Sequence, residues 1–275
     1  MNVGFIGTGS MGGVLIQAFI KSNALKPDQI LITNRTIKKA EQLVEMHPGI
    51  HLSHSIQELV IHSDILFLCV KPMEFRSVLD IIAPLIRKEQ VIVSITSPVL
   101  IRHLESKLPC KIAKIIPSIT NFERSGATLC MYGSLMTDKD KELLESLLCH
   151  ISAPVRIDER HARVTSDISS IGPAFMAFFV EQLVQAAVEL TGISRGEANR
   201  LAGEMLLGTG LLLTSGGYSP ETLQQRVSVP GGITAKALQL LQKRTDGIFL
   251  DVIKATHAKY EEDLNKVEEM MYEVK

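Results

Sequence analysis

The chain has no tryptophan, and its four tyrosines and nine phenylalanines make up only 5% of 275 residues. A nucleic-acid surface of aromatic platforms set among basic residues has little to draw on here. Charge of one sign is also missing. Lys and Arg number 29 against 30 Asp and Glu, a formal net charge of −1, so nothing pulls the chain toward nucleic acid or an anionic membrane. No uninterrupted apolar run approaches the ~18 residues that span a bilayer. The first apolar stretch, Val3–Ile6, is too short for a signal peptide. Cysteine is scarce. Cys69, Cys110, Cys130 and Cys149 are widely spaced and none forms a CxxC pair, which argues against a disulfide scaffold and a structural zinc. Free thiols in a reducing cytoplasm are the expectation. No metal site is expected from the eight histidines, and Ser94, Ser97 and Ser118 lack a GxSxG elbow. Tandem repeats and low-complexity tracts are absent.

What is present is an alternation. Short apolar, β-branched runs stand at Asn2–Ile6, Ile30–Thr33, Ile65–Val70, Val91–Ile95, Lys111–Ile115 and Ala127–Met131, with a closing run at Pro154–Ile157. Helical patterns separate the early ones, at Gly12–Lys21, Ile37–Met46, Ile56–His62 and Met73–Ile86. Continuous apolar strands alternating with helices predict a parallel sheet covered on both faces. Beyond about residue 160 the pattern turns helical. His161–Thr191 is long and apolar. Ser194–Thr214 opens on a capping box from Ser194 to Glu197, and Thr234–Gln242 and Asp246–Tyr272 follow. The fold expected is α/β: an N-terminal doubly wound Rossmann domain over 1–158, then an all-helical domain over 159–275. Phe175–Val188 and Met205–Leu213 are too apolar for one buried face, so a second copy of the chain is expected to cover them.

Gly7-Thr8-Gly9-Ser10-Met11-Gly12 follows the first strand and opens the first helix. In that place the pattern reads as a dinucleotide site. Gly7 makes the tight turn, Gly9 lets a pyrophosphate approach the backbone, and Gly12 lets helix and strand pack closely. The pyrophosphate then meets the free amides of the helix N-terminus. NAD sites usually carry Asp or Glu at the end of the second strand, where this chain reads Thr33-Asn34-Arg35-Thr36. Arg35 suits a 2′-phosphate, with Asn34 and Thr36 as neutral hydrogen-bonding groups, so the expected cofactor is NADP, taken up as NADPH. Val70-Lys71-Pro72 ends the fourth element beside the same crevice, where Lys71 meets a phosphate or ribose or is a solvated loop lysine. Near the other end of the chain, Gly231 and Gly232 precede a helix. They form an anion nest for a substrate carboxylate or merely cap the helix.

These residues resemble the pyrroline-5-carboxylate reductase family over nearly the full length. The likeness rests on Phe5–Gly12, Val70–Pro72, Gly172-Pro-Ala-Phe175, Glu181, Gly208 and Pro230-Gly-Gly-Ile-Thr234. Within the family, Thr33–Thr36, Ile95-Thr-Ser-Pro98 and Ile116–Thr120 fit a late-competence branch better than the biosynthetic enzymes. The resemblance implies a helical dimerisation domain, hence a homodimer or higher homo-oligomer. It implies reduction of a cyclic imine, 1-pyrroline-5-carboxylate, to proline by NADPH, with Thr234 donating its hydroxyl to the substrate. The substrate-binding set carried over is Ile171, Val229, Gly231, Gly232 and Thr234. Two departures stand out. Val229 replaces the family's serine before Pro-Gly-Gly, and Ile171 replaces a second hydroxyl. They imply a drier pocket than the biosynthetic one. Two alternatives accompany the imine reductase: a low-activity member with a regulatory role in competence or sporulation, and a reductase of another small imino or oxo acid. Partners are expected to be a small-molecule substrate and further copies of the chain, with no nucleic acid and no membrane.

Overall fold

The apolar runs pair into one sheet. The computed structural model describes residues 1–272. Its strands are β1 (Val3–Ile6), β2 (Ile30–Thr33), β3 (His51–Leu52), β4 (Ile65–Leu68), β5 (Val91–Ser94), β6 (Lys111–Ile116), β7 (Ala127–Tyr132) and β8 (Ala153–Arg156). Their order is β3-β2-β1-β4-β5-β6-β7-β8. The helices among them are α1 (Ser10–Lys21), α2 (Ile37–Met46), α3 (Ile56–His62), α4 (Phe75–Ile82), α5 (Ile101–Glu105) and α6 (Asp138–Cys149). Then come α7 (Ala162–Ser169), α8 (Gly172–Thr191), α9 (Arg195–Thr214), α10 (Pro220–Val227), α11 (Ile233–Thr245) and α12 (Ile248–Tyr272).

Every residue of β1, β2, β4 and β5 is buried, as strands covered on both faces must be. On one face Phe5, Phe19 and Phe67 meet side chains of α1, α2 and α6, with the Phe5 and Phe67 rings stacked at 4.8 Å. On the other, Leu66, Leu68 and Ile92 meet α3, α4 and α5. This is the doubly wound Rossmann arrangement that the alternation predicts. One pairing differs from a wholly parallel sheet: β6 and β7 are antiparallel. Only a short 3₁₀ turn, Ile119–Glu123, lies between them, and a parallel return needs a longer crossover. β3 and α5 were not foreseen, because two residues and five residues carry too little periodicity to read.

The described residues divide into two compact units, one of Met1–Pro173 with the chain from Ala255 onward, the other of Ala174–Lys254. The first unit is therefore discontinuous. Its returning part of α12 is tied in by polar contacts. The Arg76 guanidinium donates to the Met270 carbonyl at 2.9 Å, Thr256 Oγ1 donates to Asp167 at 2.9 Å, and Arg102 pairs with Glu268. Val267 and Met271 are buried in the core beside α4 and α5.

The second unit is all helix, with Ser194 capping α9 through the Glu197 amide at 3.2 Å. Its buried apolar side chains are few: Val184, Ala198 and Ala202. Phe178, Leu183, Leu207, Leu211 and Leu241 are all more than half exposed. The helical run Glu159–Thr191 is also long and apolar enough to cross a membrane by length and composition, with a mean hydropathy of 1.4 over its most apolar 18 residues. The sequence reading sought an unbroken apolar run and so passed it by. Its few polar residues interrupt the run yet leave the mean at 1.4.

Candidate functional site

A cleft of about 530 Å³ opens at the C-terminal ends of β1, β2 and β4. The three glycines of the first loop occupy three different environments there. Gly7 has φ +103°, and a Cβ on it would stand 2.5 Å from the Cys69 carbonyl oxygen. Gly12 is buried in the first turn of α1, where a Cβ would meet the Gly7 carbonyl oxygen at 2.4 Å. A Cβ on Gly9 would meet nothing within 4 Å, because Gly9 faces the open cleft. The first and third glycines are thus required by packing, and the second leaves room for a ligand.

The helix ends point the same way. α3, α6, α9 and α10 each begin with a Ser or Thr side chain accepting from a first-turn amide. α1 and α2 begin at the cleft with no side-chain cap and no acidic residue in the first turn. Lys38 and Lys39 even stand in the first turn of α2, against the helix dipole. Two uncapped, positive helix starts facing one cleft form a setting for a polyanion. Thr8 adds to it, since its buried Oγ1 has no hydrogen-bond partner.

Gly7, Gly9, Asn34, Arg35, Thr36, Val70 and Lys71 line the cleft together. Thr8, Ser10, Met11, Gly12 and Pro72 do not line it. They shape the loop and the starts of α1 and of the 3₁₀ turn Pro72–Glu74. Asn34 is already engaged. Its Oδ1 accepts from the Thr8 amide at 3.0 Å and its Nδ2 donates to the Thr36 carbonyl at 2.8 Å, so it staples the two loops. Arg35 is 83% exposed at its side chain and pairs with Glu74. Sequence reasoning missed Glu74, along with Lys39, His54 and Ser77, which also line the cleft. It looked for an acid only at the end of β2, and Glu74 arrives from the end of β4. His51 and His54 stand at HxxH spacing, a pair likewise passed over. Among the described residues no three metal-ligating side chains gather. Burial pushes the Cys69 thiol far up, so it stays protonated.

Behind the loop after β5, Lys114 is fully buried. Its Nζ donates to the Ser97 carbonyl at 2.7 Å and to Glu159 Oε1 at 2.9 Å. Burial lowers its pKa, and Glu159 opposes that shift.

Of the residues proposed for substrate, Ile171 is half-buried in the first unit, where its amide donates to the Ser166 carbonyl at 3.1 Å. The rest lie in the second. Gly231 has φ +75°, and Gly232 is the N-cap of α11. α11, like α1, α2, α4, α5 and α7, has no side-chain cap and no acid in its first turn. The Gly232 amide, however, donates to the Val229 carbonyl at 3.0 Å. An anion at this end would therefore draw on the amides that follow Gly232. Val229 is 66% exposed, and a Cβ on Gly232 would lie 2.7 Å from its Cγ2. Thr234 is half-buried in the first turn of α11.

Residues 159–263 match the family model for pyrroline-5-carboxylate reductase dimerisation, and residues 2–98 that for coenzyme F420-dependent NADP oxidoreductases. Pyrroline-5-carboxylate reductase 3 of Danio rerio is 31% identical, over 88% of this chain and 84% of its own. The chain belongs to the pyrroline-5-carboxylate reductase family. Another relative, ComE operon protein 4 of Bacillus subtilis (strain 168), is 39% identical over 99% of this chain and 100% of its own. The fold of this reductase-family chain is also that of the Plasmodium falciparum pyrroline carboxylate reductase crystallised with NADP bound. That structure has a TM-score of 0.83 at 24% identity and covers 98% of both chains.

Proposed function

We propose that the protein is an NADPH-dependent oxidoreductase that reduces the C=N bond of a small cyclic imine to CH–NH. The observation that carries this reading is the cleft where α1 and α2 start uncapped around the open face of Gly9. The pyrophosphate would lie over Gly9 at the uncapped start of α1, and the 2′-phosphate against Arg35, Thr36 and Lys39. The reduced dinucleotide supplies a hydride when bound. The residues' work is then orientation and water exclusion, since a protonated C=N needs little acid–base help. Thr234 would donate its hydroxyl to the substrate, and the uncapped start of α11 would hold the carboxylate. The sparse buried core of the second unit, together with the dimerisation model over 159–263, supports a homodimer or larger assembly.

The finer reading within the family is 1-pyrroline-5-carboxylate as substrate, reduced slowly. Val229 supports it, with two methyl groups bordering Gly232. A hydrogen bond to a charged group is worth about 1.5–3 kcal/mol. Its loss lowers carboxylate affinity by about 10- to 100-fold. Slow turnover also fits a protein kept for a regulatory role in competence, in line with the name of its ComE operon relative. The experiment is NADPH oxidation by purified protein with a panel of cyclic imines and oxo acids, repeated on Val229→Ser/Ile171→Ser. A cyclic imine is expected to be reduced best, and the double variant to be faster on 1-pyrroline-5-carboxylate. Oxidation with oxo acids alone would overturn the substrate class.

A further inference from the structure

Glu74 brings into the cofactor cleft the acidic group that the end of β2 lacks. One carboxylate oxygen pairs with Arg35 Nη1, and the other accepts from the Lys71 amide at 3.2 Å. The backbone contact fixes the carboxylate in place. The exposed Arg35 side chain then takes its direction from Glu74, since little else packs against it. Both residues line the same cleft as Gly9, Asn34, Thr36 and Lys39.

We propose that Glu74 is a specificity-determining residue, a carboxylate that competes with a ribose 2′-phosphate for Arg35 and so narrows the preference for NADPH over NADH. The proposal rests on the dinucleotide reading of the cleft. A guanidinium grips a phosphate best with two parallel N–H donors on one edge. Glu74 already holds one of the terminal nitrogens. A bound 2′-phosphate must share Arg35 or displace Glu74, and it brings about two negative charges beside a fixed carboxylate. NADH brings a neutral 2′-hydroxyl instead. A hydroxyl donates to a carboxylate, as in sites where an acidic residue takes the ribose. The same side chain thus weakens one cofactor and helps the other.

The test uses the full-length protein and Glu74→Gln. Glutamine keeps an oxygen for the Lys71 amide and loses the charge. Fluorescence titrations with NADPH, NADH and 2′,5′-ADP give the dissociation constants. Glu74→Gln is expected to tighten NADPH and 2′,5′-ADP by about two- to five-fold, the scale of an exposed ion pair relieved beside an anion. NADH should stay unchanged or weaken. In an Arg35→Gln background the gain should shrink, because only the direct repulsion between Glu74 and the phosphate is then relieved, and an undiminished gain overturns the competition for Arg35. An unchanged or weakened NADPH affinity in Glu74→Gln overturns the proposal, as does equal tightening of NADH. Wild-type protein that binds neither dinucleotide overturns the cofactor reading and this proposal together. Wild-type binding with an unaltered NADPH to NADH ratio in the variant overturns this proposal alone.

Discussion

Gly9→Ala separates ligand space from packing space in one methyl group. At Gly9 a Cβ meets no atom within 4 Å, and the backbone at φ −70° and ψ −165° admits any residue. Removing a glycine from the unfolded chain stabilises by about 0.4–1 kcal/mol. Alanine is a poorer N-cap than glycine, which offsets about the same amount. The net change in stability should be close to zero. The cleft is another matter, since the methyl group stands where a pyrophosphate must approach the α1 amides. Losing one or two charge-assisted hydrogen bonds costs about 1.5–3 kcal/mol each, so NADPH affinity should fall by about 10- to 10,000-fold. Gly12→Ala is the counterpart. Its Cβ would lie 2.4 Å from the Gly7 carbonyl oxygen, a backbone atom with nowhere to go. Overpacking of this kind costs about 1–3 kcal/mol or more. The two variants are compared by thermal unfolding and by NADPH titration. Gly9→Ala with wild-type NADPH affinity, or with a lowered unfolding temperature, would refute the assignment of Gly9 to the ligand.

Three further outcomes are expected. Light scattering on a chromatography peak should give a dimer or larger, and Leu211→Glu should weaken it; a 30.3 kDa monomer at micromolar concentration is the opposing result. In urea titrations, Glu159→Gln should be less stable than wild type at pH 7 and gain more on going alkaline. The buried Lys114 has a lowered folded pKa, so its ammonium opposes folding below the unfolded value of about 10.4 and stops doing so above it. Glu159 is what tolerates that charge, and equal pH slopes in the two proteins would contradict this. With Ellman's reagent at pH 8 one thiol per chain, the exposed Cys149, should react fast, because burial pushes Cys110 and Cys130 up to about 12. A fast phase surviving Cys149→Ser would tell against it.

The sheet was legible because buried strands such as Ile65–Leu68 carry unbroken apolar side chains, a signal local to the segment. Gly7, Gly9 and Gly12 were legible because their spacing between a strand and a helix is itself a local signal, although Gly7 answers to the distant Cys69 carbonyl and Gly9 to open ligand space. The ion pair of Arg35 was not, because Glu74 lies 39 residues away and meets it only after β2 and β4 join the same sheet. Engagement of Asn34 with Thr8 and Thr36 was hidden likewise, since a loop asparagine reads the same whether it staples backbone or faces a ligand. The amide of Gly232 is a subtler case. Pro-Gly-Gly before a helix signals free N–H groups, yet the positive φ of Gly231 turns one of them back onto Val229.

The discontinuity of the first unit bears on how the chain is made. Synthesis runs from the N-terminus, and domains generally fold as they emerge. Here the sheet emerges first, but the groups that complete its far face, Val267, Met271 and Glu268, are translated only after the whole of the second unit. Until the chain from Ala255 onward has emerged, the core beside α4 and α5 lacks those side chains, and the buried His103 lacks its carboxylate partner. The first unit is thus begun before the second and finished after it, and its core closes only once the chain beyond Lys254 has returned to it.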